Sequence, residues 1–475
     1  QQLPSRQQLA KNNRFESYDN SDVFAVPIET NLNICNSGQW NTIGDRNVWR
    51  LAISSVNAYS LNITFSDFYI PKDAEMYIYN ADTTNVLGAF TSENNADIMP
   101  TVPVRGDIII VEYSEPVDAE FQGFFNIVQV AHDFKGIFAS SSLSQCQIPI
   151  DSEIATDWKD EKRSVCKIIV GGTTLCTGTL LNTADNSFKP YVLTARHCIH
   201  SEKLAQSSVF YFNYDDENAD SQYIYGSSLV AVKDNDDGFL DFSLVKLNQN
   251  VPNAYGAYYA GWDASGEVPE DVVCIHHPNG APKKIAVAND SLPVASYRYY
   301  DDSTFWNVAE WNAGATEVGS SGAPLFNSDH KVVGILAGGD SDCSYPMNDY
   351  FQMFSVCYNR YQSETMQLER WLNPQGTDIV KIDGSYNLDN SLTASAEKSE
   401  LQISPNPASS HICVTAPQQI VKVDVVSVYG RLAMSQTVRS QQSATIDIAN
   451  LRQGLYVCRV FFADKTSANA VIIKD

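Results

Sequence analysis

The sequence has no run of about 18 or more apolar residues, the length of a membrane-spanning helix, so it predicts no helical membrane anchor. No two cysteines have the CxxC spacing typical of a zinc site, so metal binding through thiolates is not expected. Basic residues are few: 32 Lys and Arg face 56 Asp and Glu, and the formal net charge is −24. This balance argues against nucleic acid as a partner. It favours solubility, and attraction of cationic substrates is the alternative.

The chain is long and rich in apolar residues. Its 475 residues predict two to four domains, and 44% hydrophobic residues, with 24 Tyr and 21 Phe, suffice for packed β-rich cores. Ten cysteines suit an oxidising compartment. The sequence starts at Gln1 without a basic and apolar leader, as a secreted protein does after signal-peptide removal.

Short segments of alternating apolar and polar residues recur between about residues 20 and 130, separated by turn residues. They are VWRLAISS, YSLNITFSDFYI, AEMYIYNA, VLGAFT, GDIIIVEYSEP and FNIVQVAHD. This spacing predicts a β-sandwich. The stretch has no cluster of catalytic residue types, so we interpret it as a folding or binding module.

A second β-rich stretch covers about residues 146–383 and ends in ETMQLERWLNP. There Leu368, Trp371 and Leu372 have helical spacing and predict a short closing helix.

The chain after this stretch divides into two parts. Residues 384–399 are small and polar, as expected of a linker. Residues 400–475 predict a compact all-β module with turns at Tyr429-Gly430 and at Gly454.

Three fragments of the second stretch contain the residue types of a nucleophilic catalyst. YVLTARHCIH contains His197, GFLDFSLVKLN contains Asp241 and VGSSGAPLF contains Ser321, and His, Asp, Ser is a known chain order of a catalytic triad. A strand before His197 would hold the imidazole as a base, and a buried Asp241 would orient it. Taken singly, a surface histidine, a strand-end acid and a Gly/Ser turn are the alternatives. Their coincidence in this order favours the triad.

Two adjacent serines compete for the role of nucleophile. With Ser321 in the role, Gly319 lies two residues earlier, so the N–H groups of Gly319 and Ser321 can face one oxyanion. With Ser320, the glycines would not flank an oxyanion site in this way. The spacing therefore favours Ser321.

His276 and His277 raise the alternative of a metal site. Adjacent strand residues point to opposite faces, and no nearby acid completes a set of ligands. We therefore expect no metal and no other cofactor.

At these residues the chain resembles the chymotrypsin-fold serine proteases, because TARHC matches their TAxHC signature and GSSGAP their GxSGxP signature. CTGTLLN, AGWDAS, CIHHPNGAPKKI and DCSYPMNDYFQMF resemble the bacterial lysyl endopeptidases over about residues 146–383. The resemblance implies two packed six-stranded β-barrels, with the three side chains in the cleft between them. It also implies peptide hydrolysis through an acyl-enzyme.

The resemblance further implies a Cys176–Cys198 disulfide and a Cys146–Cys343 disulfide. A pair between Cys166 and Cys274 is only a guess.

Specificity is also an expectation from the resemblance. The acid that trypsin-like enzymes have six residues before the nucleophile is absent, because Ala315 stands there, and the lysyl endopeptidase pattern supplies Asp349 instead. A buried carboxylate would select Lys or Arg by charge. Tyr297 and Ala337 match the family's pocket aromatic and histidine only loosely, so a neutral substrate side chain is an alternative. The edge strand expected to pair with the substrate backbone consists of Leu336, Ala337 and Gly338.

Both ends of the chain resemble neighbours of such enzymes. Residues 1–135 resemble the lysyl endopeptidase pro-region, and self-cleavage at Lys135-Gly136 would release it from the protease domain, residues 136–383. Residues 400–475 resemble the C-terminal sorting domain of the Bacteroidetes type IX secretion system through SPNPASS, VVSVYGR and LRQGLYVCRV. That resemblance implies handling by this machinery, export across the outer membrane, and a secreted or surface-attached product.

The sequence thus predicts an all-β chain: an N-terminal β-sandwich, a double β-barrel protease domain and a C-terminal Ig-like β-sandwich. The expected function is that of a secreted serine endopeptidase cutting after Lys or Arg. The alternative is a protease-fold surface binding protein or adhesin with weak or no catalysis. Cys413 and Cys458 could pair within the last domain.

Overall fold

The computed structural model describes residues 22–138, 146–216, 222–235, 238–387, 401–427, 432–451, 453–463 and 467–474. The chain forms two compact units, residues 1–387 and 388–475. Strands dominate both units, which confirms the predicted all-β class. In the ranges just given, no helix has the length and apolar character needed to cross a membrane.

The N-terminal region contains ten strands. They are β1 (Ala25–Asn33), β2 (Gln39–Ile43), β3 (Arg46–Ser54), β4 (Ser60–Tyr69), β5 (Glu75–Asn80), β6 (Val86–Phe90), β7 (Ala96–Pro100), β8 (Val104–Arg105), β9 (Ile108–Pro116) and β10 (Phe124–Asp133). One antiparallel sheet has the order β1-β10-β4-β7 with β8 beside β4, and the other has the order β2-β3-β9-β5-β6. All six quoted segments of the sequence therefore form strands.

Alternating side chains of these two sheets form one core. In β9, Ile109, Val111 and Tyr113 are buried, and the residues between them are more exposed. The core continues into the following region, since Leu175 and Tyr211 belong to the same cluster of buried side chains. The N-terminal sandwich is thus packed directly against the next sheet.

The first sheet of the central region has seven strands in the order β16-β15-β12-β13-β14-β18-β17. They are β12 (Val165–Val170), β13 (Thr174–Leu181), β14 (Tyr191–Thr194), β15 (Val209–Phe212), β16 (Gln222–Tyr225), β17 (Ser227–Asn235) and β18 (Gly238–Leu247).

The second sheet of the central region has ten strands. They are β11 (Ile148–Pro149), β20 (Trp262–Asp263), β21 (Val272–His276), β22 (Lys284–Ala288), β23 (Val294–Ala295), β24 (Phe305–Glu310), β25 (Pro324–Phe326), β26 (Val332–Gly339), β27 (Met347–Met353) and β28 (Lys381–Ile382). The resemblance implied six strands in each half. The larger number in this sheet arises because two-residue strands such as β11, β23 and β28 pair with its longer strands or with each other, whereas the first sheet has one strand more than six.

Helices are short. The α-helices are α1 (Glu202–Gln206), α2 (Phe354–Asn359) and α3 (Glu369–Leu372), and the 3₁₀ helices are Ser92–Asn94, Glu153–Trp158, Glu161–Arg163, Asn253–Tyr255, Pro278–Gly280 and Glu364–Met366. The predicted closing helix corresponds to α3, where Leu372 is fully buried.

The predicted linker begins later than expected. Ser385–Tyr386 forms β29, which pairs with β19 (Tyr258–Tyr259), so the first residues of the segment 384–399 belong to the folded unit. Residues 388–400 lie outside the described residues.

The second unit contains β30 (Gln402–Ser404), β31 (His411–Ser427), β32 (Leu432–Asp447), β33 (Gly454–Phe462) and β34 (Ser467–Lys474). Their hydrogen bonds give the order β30-β31-β33-β34, with β32 beside β31. Gly454 begins β33, consistent with the predicted turn there, and Tyr429-Gly430 lies outside the described residues.

Two disulfides are present, Cys146–Cys343 and Cys176–Cys198, and they are the two pairs that the resemblance implied. The guess of a Cys166–Cys274 pair is wrong. Both thiols are free and buried, because Cys166 lies on β12 in the seven-stranded sheet and Cys274 on β21 in the ten-stranded sheet.

The second unit has no disulfide between Cys413 and Cys458, since both thiols are free. Cys413 pairs in register with Thr445, whereas Cys458 pairs with Val425, twelve residues farther along β31. The two side chains therefore lie at different levels of the sheet.

Candidate active site

His197 follows β14 and is held by its neighbours. Cys198 is bonded to Cys176 of β13, so the segment after the strand is tied to the sheet. The backbone N–H of His197 donates to Asp241 Oδ1 at 3.0 Å, and Nδ1 lies 2.8 Å from Asp241 Oδ2. A carboxylate only accepts hydrogen bonds, so Nδ1 carries the proton and Nε2 is left as an acceptor.

Asp241 lies within β18 and is fully buried. Its own N–H donates to Gln352 Oε1 at 2.9 Å, and Gln352 in turn donates to Thr304 O. Burial, and then the negative charge of Asp241, raise the pKa of Tyr300. The backbone of Asp241 is thus held by Gln352, and its carboxylate accepts both hydrogen bonds from His197.

The pKa of His197 is raised. Burial lowers it, but the charge and hydrogen bond of Asp241 outweigh burial, and the charge of Asp22 adds to them, while Arg298 opposes them. The imidazolium is therefore stabilised in this site.

Ser321 lies on a tight turn before β25. The turn is bonded to both central sheets, because Thr177 N donates to Ser321 O at 2.8 Å and Gly322 N donates to Leu336 O at 2.8 Å. Gly322 has φ +83°, and a Cβ there would lie 2.2 Å from Thr194 Oγ1. Glycine is thus required after Ser321 for both conformation and space.

Gly319 also needs to be glycine. Its φ is +88°, and its carbonyl accepts from Thr177 Oγ1 at 3.0 Å. This conformation turns its N–H toward the Ser321 side chain, where both groups meet the same carboxylate. Gly319 N donates to Asp22 Oδ1 at 2.7 Å, and Ser321 Oγ donates to Asp22 Oδ2 at 3.2 Å.

The two adjacent serines have different environments. Ser320 is fully buried, and its Oγ lies 2.7 Å from His276 Nδ1. The same Oγ accepts from Glu317 N at 3.2 Å, so the hydroxyl is bonded on both sides inside the protein. Ser321 is partly exposed, so a substrate can reach its hydroxyl.

Asp349, predicted to determine specificity, is 1% exposed and lies on β27. Its Oδ2 accepts from Trp311 Nε1 at 2.6 Å and from Thr316 Oγ1. Burial raises the pKa of Asp349 to about 6, although hydrogen bonds from Thr316 and Trp311 oppose the shift. Thr316 is next to Ala315, so the carboxylate lies beside the position where trypsin-like enzymes have theirs.

Tyr297, Ala337 and Gly338 lie close to one another. Tyr297 stacks on Tyr350 with 4.5 Å between ring centroids, and both rings pack against the cluster of buried side chains that contains Ala337. Gly338 has φ +135°, and a Cβ there would lie 3.1 Å from the Tyr297 hydroxyl. The strand β26 thus brings Leu336, Ala337 and Gly338 between the Ser321 turn and the aromatic cluster.

His276 and His277 make hydrogen bonds within the protein. His277 Nδ1 donates to Ala281 O at 2.9 Å, and burial lowers the pKa of both imidazoles, to about 3 for His276. Within the described residues, no group of three or more His, Cys, Asp or Glu side chains could hold a metal ion.

Sequence reasoning missed several residues of the site. Asp22 lies about 300 positions before Ser321, and no local pattern marks it. Trp311, which bonds to Asp349, is also outside the motifs. Gln352, which accepts from the Asp241 N–H, lies within DCSYPMNDYFQMF, but the motif assigned it no role. Thr316 could have been found, because it adjoins the position occupied by Ala315.

Residues 141–352 match the family model described as Lysyl endopeptidase, C-terminal domain. This region of the chain is therefore similar to the lysyl endopeptidases. The lysyl endopeptidase of Pseudomonas aeruginosa is 31% identical over 207 residues, which are 40% of this chain and 43% of that protein. The chain thus matches less than half the length of this curated relative. The resemblance drawn from the sequence motifs is confirmed.

Solved structures similar to the chain include the MamO protease domain from Magnetospirillum magneticum, at 12% identity and a TM-score of 0.31. That match covers 43% of this chain and 100% of the other. A Glu endopeptidase in complex with MPD is 18% identical with a TM-score of 0.28, covering 40% and 85% of the two chains. Similarities this low support no conclusion about activity.

Residues 402–474 match the family model described as Secretion system C-terminal sorting domain. This match confirms the resemblance of the C-terminal region to a sorting domain. It indicates export of the chain to the cell surface or the medium.

Proposed function

We propose that the chain is a serine endopeptidase that hydrolyses peptide bonds through an acyl-enzyme and prefers Lys, or Arg, before the scissile bond. One observation carries the proposal. Gly319 N and Ser321 Oγ both bond to a single carboxylate, which marks where an oxyanion would lie, next to an imidazole held by Asp241.

In this mechanism Ser321 Oγ attacks the scissile carbonyl carbon, and the hydroxyl proton passes to His197 Nε2. The carbonyl oxygen becomes an oxyanion, which the N–H groups of Gly319 and Ser321 stabilise. Asp241 accepts the Nδ1 proton throughout and stabilises the imidazolium as it forms.

The second half of the reaction reverses these roles. The His197 imidazolium donates its proton to the leaving amine as the carbon–nitrogen bond breaks, leaving an ester on Ser321. A water molecule then attacks the ester carbonyl and gives a proton to His197. The proton returns to Ser321 Oγ when the carboxylic acid product departs.

The charge preference rests on Asp349. A buried carboxylate with neutral hydrogen-bond donors and no cation among its described partners favours a substrate ammonium or guanidinium. A neutral side chain would leave this carboxylate without a counter-charge. Lys and Arg are therefore the side chains that the pocket favours.

The substrate backbone would lie along β26. The N–H of Leu336 donates to Ala323 O, and its carbonyl accepts from Gly322 but retains a second lone pair. In the proposed complex Leu336, Ala337 and Gly338 pair with the residues before the scissile bond. Tyr297 would form one wall of the pocket, next to Gly338.

The proposal includes the predicted domains. They are a pro-region at 1–135, a protease domain at 136–383 that also includes the strand β29 (Ser385–Tyr386), a linker within the remainder of 384–399 and a sorting domain at 400–475. The partners are protein or peptide substrates and the type IX secretion machinery. At Lys135-Gly136 the N–H groups of both residues donate to Asp133 Oδ1, so self-cleavage there would require this turn to open.

Peptides that differ only before the cleaved bond test the proposal. The purified chain is first incubated until its rate of peptide cleavage is constant. It should then cleave peptides with Lys or Arg before the bond at least about tenfold faster than the peptide with norleucine there. Norleucine matches the length of Lys without its charge. Equal rates for Lys and norleucine would refute the charge preference but not the peptidase activity.

The Ser321→Ala variant is the matched control for the chemistry. It removes one oxygen, so cleavage of all peptides should stop while the thermal unfolding temperature stays the same. An organophosphonate should label Ser321 of the parent and not of the variant. Absence of both cleavage and labelling in the parent would favour the protease-fold binding protein instead.

A further inference from the structure

The start of the N-terminal sandwich binds the central region next to the Ser321 turn. Phe24 N donates to Thr173 O at 2.9 Å, and Val23 forms an antiparallel bridge with Thr174. These contacts are with the turn between β12 and β13. The segment is therefore bound at the turn that connects two central strands of the seven-stranded sheet.

The other strands of the sandwich hold the same turn. Asn62 Nδ2 donates to Gly172 O at 2.8 Å, and Gln129 Nε2 donates to Gly171 O at 2.8 Å. Gly172 has φ +73°, and a Cβ there would lie 2.5 Å from Asn62 Oδ1. The turn thus packs closely against the sandwich. This interface positions Asp22, which lies next to the residues that bind the turn.

The carboxylate of Asp22 occupies the place that an oxyanion needs. Its two oxygens accept from Gly319 N and from Ser321 Oγ. A carboxylate is planar and negatively charged, so it competes for donors that are preorganised for negative charge. A peptide carbonyl cannot accept from Gly319 N while Asp22 does.

The contact also affects the nucleophile. The Ser321 hydroxyl donates to Asp22, whereas attack requires that its proton pass to His197. The charge of Asp22 stabilises the protonated imidazole, which is the form that cannot act as a base. Both effects oppose the first chemical step.

We propose that Asp22 is an intramolecular inhibitor that occupies the oxyanion site of the intact chain. The inference rests on the proposed function, since it assigns a regulator to the same site. Loss of the N-terminal region after cleavage would remove Asp22 and free the Gly319 N–H and the Ser321 hydroxyl.

Labelling by a neutral fluorescent fluorophosphonate tests this in the intact chain. Ser321 Oγ forms a bond to phosphorus, fluoride leaves, and the hydroxyl proton passes to His197, so the reaction needs the same groups as hydrolysis. The labelled 52.5 kDa chain is separated from processed fragments on a gel. We expect Asp22→Ala to label at least about tenfold faster than the parent, because a hydrogen-bonded charge is removed.

Asp118→Ala is the matched control, because Asp118 is an exposed aspartate of the same sandwich and lies outside this contact. It should label at the parent rate. A parent that labels as fast as Asp22→Ala would overturn the inhibitory role and leave the proposed function intact. If neither chain labels at Ser321, nor cleaves any peptide after prolonged incubation, the proposed function itself fails, and the inference with it.

A second inference comes from Ser320 and His276, whose contact is independent of Asp22. Ser320 N donates to Glu317 O at 3.0 Å, Ala323 N donates to Ser320 O at 2.9 Å, and the Ser320 hydroxyl shares a hydrogen bond of 2.7 Å with His276 Nδ1. The residue thus connects the Gly319 and Ser321 turn to β21. We infer that Ser320 and His276 are positioning residues for the oxyanion site.

Ser320→Ala tests this role, because it removes one oxygen and leaves the turn sequence unchanged. We expect kcat to fall about tenfold with KM unchanged, since a displaced N–H weakens binding of the transition state only. The affinity for a peptide aldehyde, whose adduct presents an oxyanion, should fall by the same factor. Ser164→Ala, at a buried serine bonded to Glu161 O, is the control and should change neither quantity.

His276→Gln is the second variant, because its amide oxygen can accept the Ser320 hydroxyl and should retain more activity than His276→Ala. The positioning role would be overturned if Ser320→Ala left kcat unchanged. It would also be overturned if this variant lost equal factors in kcat and in the affinity for a product peptide. The fold of each variant is checked by its unfolding temperature.

Discussion

The indole Nε1 of Trp311 donates a hydrogen bond of 2.6 Å to Oδ2 of Asp349, deep beneath the Ser321 turn. Thr316 donates to the same oxygen. These neutral donors partly replace water around a carboxylate that is 1% exposed. Burial still dominates, so the pKa of Asp349 is about 6, and the pocket titrates in an experimentally accessible range.

The preference for Lys over norleucine should therefore depend on pH. Because the pKa of Asp349 is raised to about 6, the carboxylate is charged above that pH and neutral below it. The ratio of kcat/KM for Lys and norleucine peptides should be high at pH 8 and fall toward one as pH decreases through about 6. Protonation of His197 affects both substrates and cancels in the ratio. A ratio that is constant from pH 8 to pH 5 would contradict the assignment of Asp349.

Trp311→Phe should shift this transition to higher pH. The indole N–H stabilises the charged carboxylate, so its loss raises the pKa of Asp349 further. The measurement is the midpoint of the Lys to norleucine ratio against pH. Trp306→Phe is the control, since Trp306 Nε1 donates to Val333 O and does not contact Asp349. An unchanged midpoint in Trp311→Phe would show that the indole does not set the charge of the pocket.

Asp241→Asn should lower kcat by about 10⁴ and leave the fold intact. An amide cannot accept from both the N–H and the Nδ1–H of His197 as the carboxylate does, so the imidazole no longer presents Nε2 as an acceptor. Steady-state kinetics on a Lys peptide measures the effect. Asp263→Asn is the comparison, because Asp263 is also buried but pairs with Lys381 away from the site. Similar losses in the two variants would indicate a general effect of removing a buried charge.

Sequence reasoning succeeded where a local pattern has a local physical cause. The glycines at 319 and 322 identified Ser321 over Ser320, and in the structure both have positive φ in a turn with no room for a Cβ. The alternating segments of the first 130 residues likewise became strands, because a sandwich buries every second side chain.

Contacts between distant parts of the chain were beyond such reasoning. Asp22 reaches Ser321 only because the sandwich packs on the turn at 171–174, and nothing in the spacing of the sequence records that packing. The mistaken Cys166–Cys274 pair has the same origin. The sequence offered this pair only as a guess, and the fold puts the two cysteines in different sheets.

The Cys176–Cys198 disulfide provides the last prediction, because it lies next to His197 and closes a loop with a sequence separation of 22. Replacing both cysteines by Ala should lower the free energy of unfolding by about 3 kcal/mol, through the greater entropy of the unfolded chain. Thermal and denaturant unfolding should be measured with Ser321→Ala as the background, so that autolysis does not interfere.

Activity should fall in the same double variant made with Ser321 intact, because the segment after β14 is no longer tied to β13 and the imidazole loses its fixed position. Cys166→Ala is the matched control: it removes a buried thiol on the adjacent strand β12 that forms no disulfide. Its loss of stability should reflect packing alone, and kcat should stay at the parent value. If the double variant kept the parent kcat, the disulfide would stabilise the sheet without holding His197.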